Sequence, residues 1–158
     1  MKGENLIMKL CFVASIGGHL EELAQLKEII KDYDSFLLTE KNDFQEKKLC
    51  SRTYYVSHIN RKERLFLIHF IKLWIQSLYV FIKEKPDCII TTGALICYPI
   101  SVISKIFHKK VIYIESFARM HTASLTGKLM YRVADLFIVQ SDELLQYYPK
   151  AIYCGCIF

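Results

Sequence analysis

Three short segments of this chain carry residue types suited to holding an anion or moving a proton. The first is Ser15-Ile16-Gly17-Gly18-His19. Glycines in a strand-to-helix turn leave backbone N–H groups free, and with the helix dipole these favour an anion such as a diphosphate. The spacing is neither the dinucleotide pattern nor a P-loop. A tight turn that simply requires glycine accounts for it equally well. His19 can act as a base or play a structural part such as capping the helix, the commoner fate. The second segment is Thr91-Thr92-Gly93-Ala94, where glycine permits close approach of a ligand or of another backbone. The third is Glu115-Ser116-Phe117-Ala118-Arg119. A carboxylate at the end of an apolar strand can take a proton from a sugar hydroxyl, or it can pair with Arg119.

These segments share a setting. Lys9–Ala14 is a short apolar run, and apolar residues then recur at helical spacing from Leu20 to Ile30. Further strands are predicted at Ser35–Thr39, Thr53–Ser57, Asp87–Thr91, Lys110–Glu115 and Leu136–Gln140. Between them, helices are predicted at Glu63–Glu84, Ile96–Phe107, Leu125–Val133 and Asp142–Tyr147, with Lys41–Arg52 a short helix or loop. Alternating strands and helices give parallel βαβ units and an open, doubly wound α/β sheet of Rossmann type. Such sheets bind ligands beyond the carboxyl ends of their strands, which is where all three segments fall.

The 158 residues suit one domain, 1–158, and a 53% hydrophobic content is ample for a core. The net charge of +5 suits an anionic membrane or a phosphorylated ligand. No arginine-rich helix or aromatic-plus-basic signature points to nucleic acid. Six cysteines without a Cys-x-x-Cys pair read as reduced thiols filling the core, with neither a disulfide framework nor a zinc site. Residues Met1–Ile7 lack the apolar stretch of a signal peptide, so a cytoplasmic chain is expected.

The long helix is too apolar for simple packing on a sheet, which needs an arc of roughly 100°. From Leu65 to Ile82 only His69, Lys72 and Gln76 form a narrow polar stripe, continued by Lys83. Arg61, Lys62 and Arg64 precede it and Lys85 follows. Spanning a bilayer takes about 20 mostly apolar residues, and Lys72 and Gln76 interrupt the middle. Residues 64–82 are therefore expected to lie in the membrane interface, with Phe66, Phe70, Trp74 and Phe81 inserted. A core helix or a protein interface is the competing account.

Taken in combination, several motifs resemble a known family. They are Ser15-x-Gly17-Gly18-His19-Leu20-x-Glu22-Leu23, Thr91-Thr92-Gly93-Ala94 with Pro99, and Tyr113-Ile114-Glu115-Ser116-x-Ala118-Arg119. Ser124-Leu125-Thr126-Gly127-Lys128, Ala134-Asp135 and Tyr148-Pro149-Lys150-Ala151 follow, with Gly155 near the end. The chain resembles oligosaccharide-biosynthesis subunits of the PssD type from bacterial polysaccharide clusters. It is also similar to the membrane-anchoring subunit of the dolichol-pathway N-acetylglucosaminyltransferase. Residues Glu115–Ala134 resemble the matching stretch of the transferase that makes lipid II.

The resemblance implies the N-terminal, acceptor-side half of an inverting, metal-independent GT-B glycosyltransferase split over two polypeptides. A second subunit would carry the nucleotide-sugar site, and this one would be inactive alone and peripheral on the inner face of the cell membrane. No cofactor is expected. A lipid-diphosphate-linked saccharide of capsule or exopolysaccharide synthesis would be the acceptor. Glu115 and His19 are the catalytic candidates. Ser15, Gly17, Gly18, Thr92, Gly93, Ser116, Arg119, Ser124 and Thr126 are candidates for the acceptor and its diphosphate. The length supports the split, since no second glycine-rich βα unit remains for a donor. Family members from eukaryotes carry an N-terminal transmembrane helix, and none is evident here. A membrane scaffold that only recruits its partner, and a stand-alone nucleotide-sugar-binding domain, are the alternatives.

Overall fold

The computed structural model describes residues 8–41, 49–59 and 63–157. Short apolar runs form strands β1 (Lys9–Val13), β2 (Asp34–Glu40), β3 (Arg52–Val56), β4 (Cys88–Thr91), β5 (Lys110–Ile114), β6 (Leu136–Val139) and β7 (Ile152–Tyr153). They make one seven-stranded sheet in the order β3-β2-β1-β4-β5-β6-β7. Every pairing is parallel. The doubly wound sheet expected from the sequence is therefore present. The strand order reverses between β1 and β4, the place where such sheets open a crevice for ligands.

Helices α1 (Gly18–Ala24), α2 (Lys27–Asp32), α3 (Phe66–Glu84), α4 (Cys97–Ile106) and α5 (Leu125–Met130) connect the strands, with a 3-10 helix at Asp142–Gln146. Alternation along the strands builds two cores. Leu10, Phe12 and Leu37 pack under Leu23 and Ile30 of α1 and α2. Cys11, Val13, Phe36 and Leu38 pack on the other face under Leu73 and Val80 of α3, Ile100 of α4 and Met130 of α5. Cys11, Cys50, Cys88 and Cys97 are buried as expected, whereas Cys154 and Cys156 are exposed.

The expected Leu20–Ile30 helix is two helices separated by Gln25 and Leu26, and β7 was not anticipated. A two-residue strand offers too short a pattern to recognise. Most of the Lys41–Arg52 segment, along with Arg61 and Lys62, lies outside the described residues.

The long helix corrects one expectation. Phe81 is buried, and Phe66, Phe70 and Trp74 are half-buried on the inward side. They form an aromatic row: Phe66 stacks on Phe70, Phe70 meets Trp74 edge-on, and Trp74 meets Tyr98 of α4 edge-on. Steps of four residues keep 66, 70 and 74 on one side, and Phe81 follows seven further on, two turns away. The outward face is aliphatic instead. Leu67, Ile68, Ile71, Ile75, Leu78, Tyr79 and Ile82 are all exposed. By length and composition α3 could cross a membrane, and only 22% of its apolar stretch is buried in the structure. It ends at Lys85 in the left-handed conformation, with Pro86 preventing continuation.

Candidate active site

The turn after β1 is built on Gly17, whose φ of 89° and ψ of −140° suit only glycine. It delivers His19 to the first turn of α1. The turn after β4 brings Thr92 and Gly93 alongside. The two turns clasp each other at two points. The Thr92 hydroxyl donates to the His19 carbonyl at 2.6 Å, and His19 Nδ1 lies 2.9 Å from the Thr92 carbonyl. A carbonyl only accepts, so Nδ1 carries the proton and Nε2 keeps a lone pair. Gly93 leaves room for the ring: a Cβ there would lie 3.0 Å from His19 Cε1. Next to it Ala94 has φ of 66°, an uncommon conformation for a residue with a side chain.

Glu115 directly follows β5 and is 1% exposed. Tyr148 donates to Oε2 at 2.8 Å. The Ser116 amide at 3.1 Å and the Tyr113 hydroxyl at 3.3 Å donate to Oε1. Ser124 Oγ lies 3.0 Å from both oxygens, and accepts in turn from the Gly127 amide at the start of α5. Four donors fill the roughly four acceptor positions of a carboxylate. Burial, and then the Glu115 charge, pushes the Tyr113 and Tyr148 hydroxyls well above the ordinary tyrosine value, so both remain donors. Gly127 is obligatory: a Cβ there would come within 2.0 Å of Glu115 Oε2 and 2.4 Å of the Tyr148 hydroxyl.

Between these groups lies a cavity of roughly 330 Å³, lined by His19, Ala94, Tyr113, Glu115, Ser116, Ala118, Arg119, Ser124, Leu125 and Thr126. Six of the expected site residues thus converge: His19, Glu115, Ser116, Arg119, Ser124 and Thr126. Ser15, Gly17, Gly18, Thr92 and Gly93 do not line it. Thr92 is fully buried and spends its polar groups on His19. Gly17 and Gly18 face open space, with no atom within 4 Å of a Cβ built on either. Arg119 stands exposed at the rim, and Glu115 is held by hydroxyls and an amide instead. Sequence reasoning did not assign Tyr113, Gly127 or Tyr148 to the site. Only their place in the motifs marked them.

Residues 10–157 match the model of the family described as oligosaccharide biosynthesis protein Alg14 like. The chain belongs to this family. Among similar members is the UDP-N-acetylglucosamine transferase subunit ALG14 of Mus musculus, 29% identical over 95% of this chain and 83% of that one. The subunit of the same name from Candida albicans is 26% identical over 94% of this chain and 78% of that one.

Solved structures of other proteins share the fold. MurG of Acinetobacter baumannii superposes with a TM-score of 0.70 at 14% identity, covering 86% of this chain and 42% of that one. UDP-GlcNAc 2-epimerase of Methanocaldococcus jannaschii, in complex with UDP-GlcNAc and UDP, does so with a TM-score of 0.71 at 14% identity, over 94% and 47%. The Alg14-like chain spans a little under half the length of these structures.

Proposed function

We propose that this protein is the acceptor-side, membrane-associating subunit of a heteromeric glycosyltransferase. A partner supplies the nucleotide sugar, and the acceptor is a saccharide linked to a lipid diphosphate. Relatives named as transferase subunits support the need for a partner. A capsule or exopolysaccharide setting rests on the PssD-type motifs alone.

The observation that carries the reading is the cavity with His19 in its wall. Its Nδ1 proton is fixed on the Thr92 carbonyl, so Nε2 is the basic nitrogen. In the proposed reaction the acceptor hydroxyl gives its proton to Nε2 as its oxygen attacks the anomeric carbon of the donor sugar. The nucleoside diphosphate then leaves with the bonding electron pair. Glu115 has no lone pair free for this proton, and its part is to hold Ser124 and the start of α5 in place. Arg119 at the rim and the Ser124–Thr126 turn suit the acceptor's phosphates.

The aliphatic face of α3 supports the membrane half of the reading. Since α3 leads into parallel strand β4, its N-terminal end lies at the carboxyl edge of the sheet, the edge that holds the cavity. Leu67, Ile68 and Ile71 are exposed at that end. Leu125 and Met120 are exposed beside the cavity itself. Docking of this surface would bring the mouth of the cavity to the headgroups, where a lipid-linked acceptor resides.

The test is transfer of radiolabelled sugar to a lipid-diphosphate acceptor, with and without the partner subunit. His19→Ala should lower turnover on the order of 100-fold with complex formation intact. Robust turnover by this chain alone would refute the divided enzyme. Wild-type turnover by the His19→Ala complex would refute the assignment of the base.

A further inference from the structure

One charged side chain beside the cavity takes no part in the proposed reaction. Glu22 sits on α1, one turn after His19, and is 3% exposed. Its Oε1 reaches across to the turn after β5, accepting from Ser116 Oγ at 2.9 Å and from the Phe117 amide at 2.8 Å. Its Oε2 is buried and has no hydrogen-bond partner among the described residues. The nearest cationic candidate is His19 Nδ1, at 4.0 Å.

An idle carboxylate oxygen in the interior is costly unless something comes to need it. Burial raises the Glu22 carboxyl above its ordinary value, against the hydrogen bonds from Ser116 and Phe117 and the attraction of His19. The clamp on the Ser116–Phe117 turn uses only one oxygen. The second is aimed at the side of the imidazole that already carries a proton. When Nε2 takes a second proton the ring becomes a cation, and the Thr92 carbonyl is then its other close partner on that side among the described residues.

We infer that Glu22 is a positioning residue with two tasks, holding the Ser116–Phe117 turn through one oxygen and standing as counter-charge to the protonated His19 through the other. The second task rests on the proposal that His19 accepts the acceptor's proton. The other titratable or charged groups facing this space are Tyr113 from β5 and Glu115 and Arg119 from the segment that follows it. Thr92, Ser124 and Thr126 complete the surroundings without charge.

Glu22→Gln separates the tasks, because an amide oxygen still accepts from Ser116 and Phe117 while the charge is gone. In the complex with the donor-side partner, Glu22→Gln should lower kcat on the order of tenfold or more, the scale of one charge-assisted contact, with KM nearly unchanged. The acid limb of its pH–rate profile should move to lower pH, since the cationic ring has lost its counter-charge. In the isolated subunit, the Phe117 amide should exchange slowly with deuterium in the wild type and in Glu22→Gln, and rapidly in Glu22→Ala. Wild-type kcat and an unmoved pH profile in Glu22→Gln would overturn the counter-charge. Unchanged Phe117 exchange in Glu22→Ala would overturn the clamp. If His19→Ala turns over normally, the counter-charge falls with the base assignment, and the exchange measurement still decides the clamp.

Discussion

Replacing Gly127 by alanine sets two physical effects of opposite sign against each other. Gly127 lies in the first turn of α5, where alanine is favoured over glycine by at most the helix-interior value of about 1 kcal/mol. On helix propensity alone the variant is more stable. The structure requires the reverse, because the new Cβ would lie 2.0 Å from Glu115 Oε2, 2.4 Å from the Tyr148 hydroxyl and 2.9 Å from Ser124 Oγ. Glu115 or α5 must move, and the bonds from Ser124 and Tyr148 are then lost or stretched. Hydrogen bonds to a charged group contribute about 1.5–3 kcal/mol each, so losing two costs about 3–6 kcal/mol. Subtracting the helix gain leaves a net destabilisation of about 2–5 kcal/mol. For a domain of this size, 1 kcal/mol corresponds to about 2–4 °C in Tm. Thermal unfolding followed by circular dichroism should show Gly127→Ala melting about 4–20 °C below the wild type. A Tm equal to or above the wild type would show that Glu115 is not held as described, and the case for its structural role would fail.

Three further outcomes follow from other parts of the molecule. Leu67→Ser, Ile71→Ser and Ile75→Ser combined replace side chains that are 71%, 60% and 64% exposed, so Tm should hold. At roughly half the burial value of 1.5–3 kcal/mol per side chain, binding to anionic liposomes should weaken on the order of 100-fold, and undiminished co-sedimentation would place the membrane surface elsewhere. Thr92→Val removes the hydroxyl that donates to the His19 carbonyl, which should cost about 0.5–1.5 kcal/mol in chemical denaturation; an unchanged midpoint would show that the clasp contributes nothing. Acid should destabilise the fold through Glu84 and Asp87. Burial would raise Glu84, but hydrogen bonds from Tyr54 and Lys9 and the charge of Arg52 outweigh it and hold the carboxyl below its usual value of 4.5. Lys109 and the Lys9 amide hold Asp87 below 3.8. Stability from these depressed groups is present above their ordinary values and is lost as pH falls through the lowered ones. Urea midpoints at pH 7 and pH 3 should therefore separate less in Glu84→Gln than in the wild type.

The strands were legible because each is a short apolar run between turn residues, and the glycine turns after β1 and β4 fell where the alternation placed them. His19, Glu115, Ser116 and Arg119 could be grouped because parallel strands send their following residues to one edge. The missing part was which atoms face which. From its position Glu115 reads as a proton acceptor or a partner of Arg119, and the arrival of Tyr148 from 33 residues away shows how it is occupied. Glu22 reads as an ordinary polar residue on the first helix, since its partner Ser116 is 94 residues distant. Which side of α3 turns inward is illegible for a related reason. An all-round apolar pattern leaves the inward direction undefined, and edge-on stacking of Trp74 on Tyr98 settles it for the aromatics.

The two-point clasp between His19 and Thr92 joins residues 73 positions apart, with β2, β3 and α3 threaded between them. Such long closures cost chain entropy before they return any contact, so they form late in folding. The corollary concerns wear rather than synthesis. The neighbouring strands β1 and β4 share that closure through a full ladder, whereas their turns are joined by two side-chain hydrogen bonds, so the crevice is the part that opens first under mild heat or denaturant while the sheet beneath stays intact. A preparation of this subunit can therefore look folded by its secondary structure and yet have lost the imidazole's fixed tautomer. Its quality is better judged by the His19 ring nitrogen signals than by its circular dichroism.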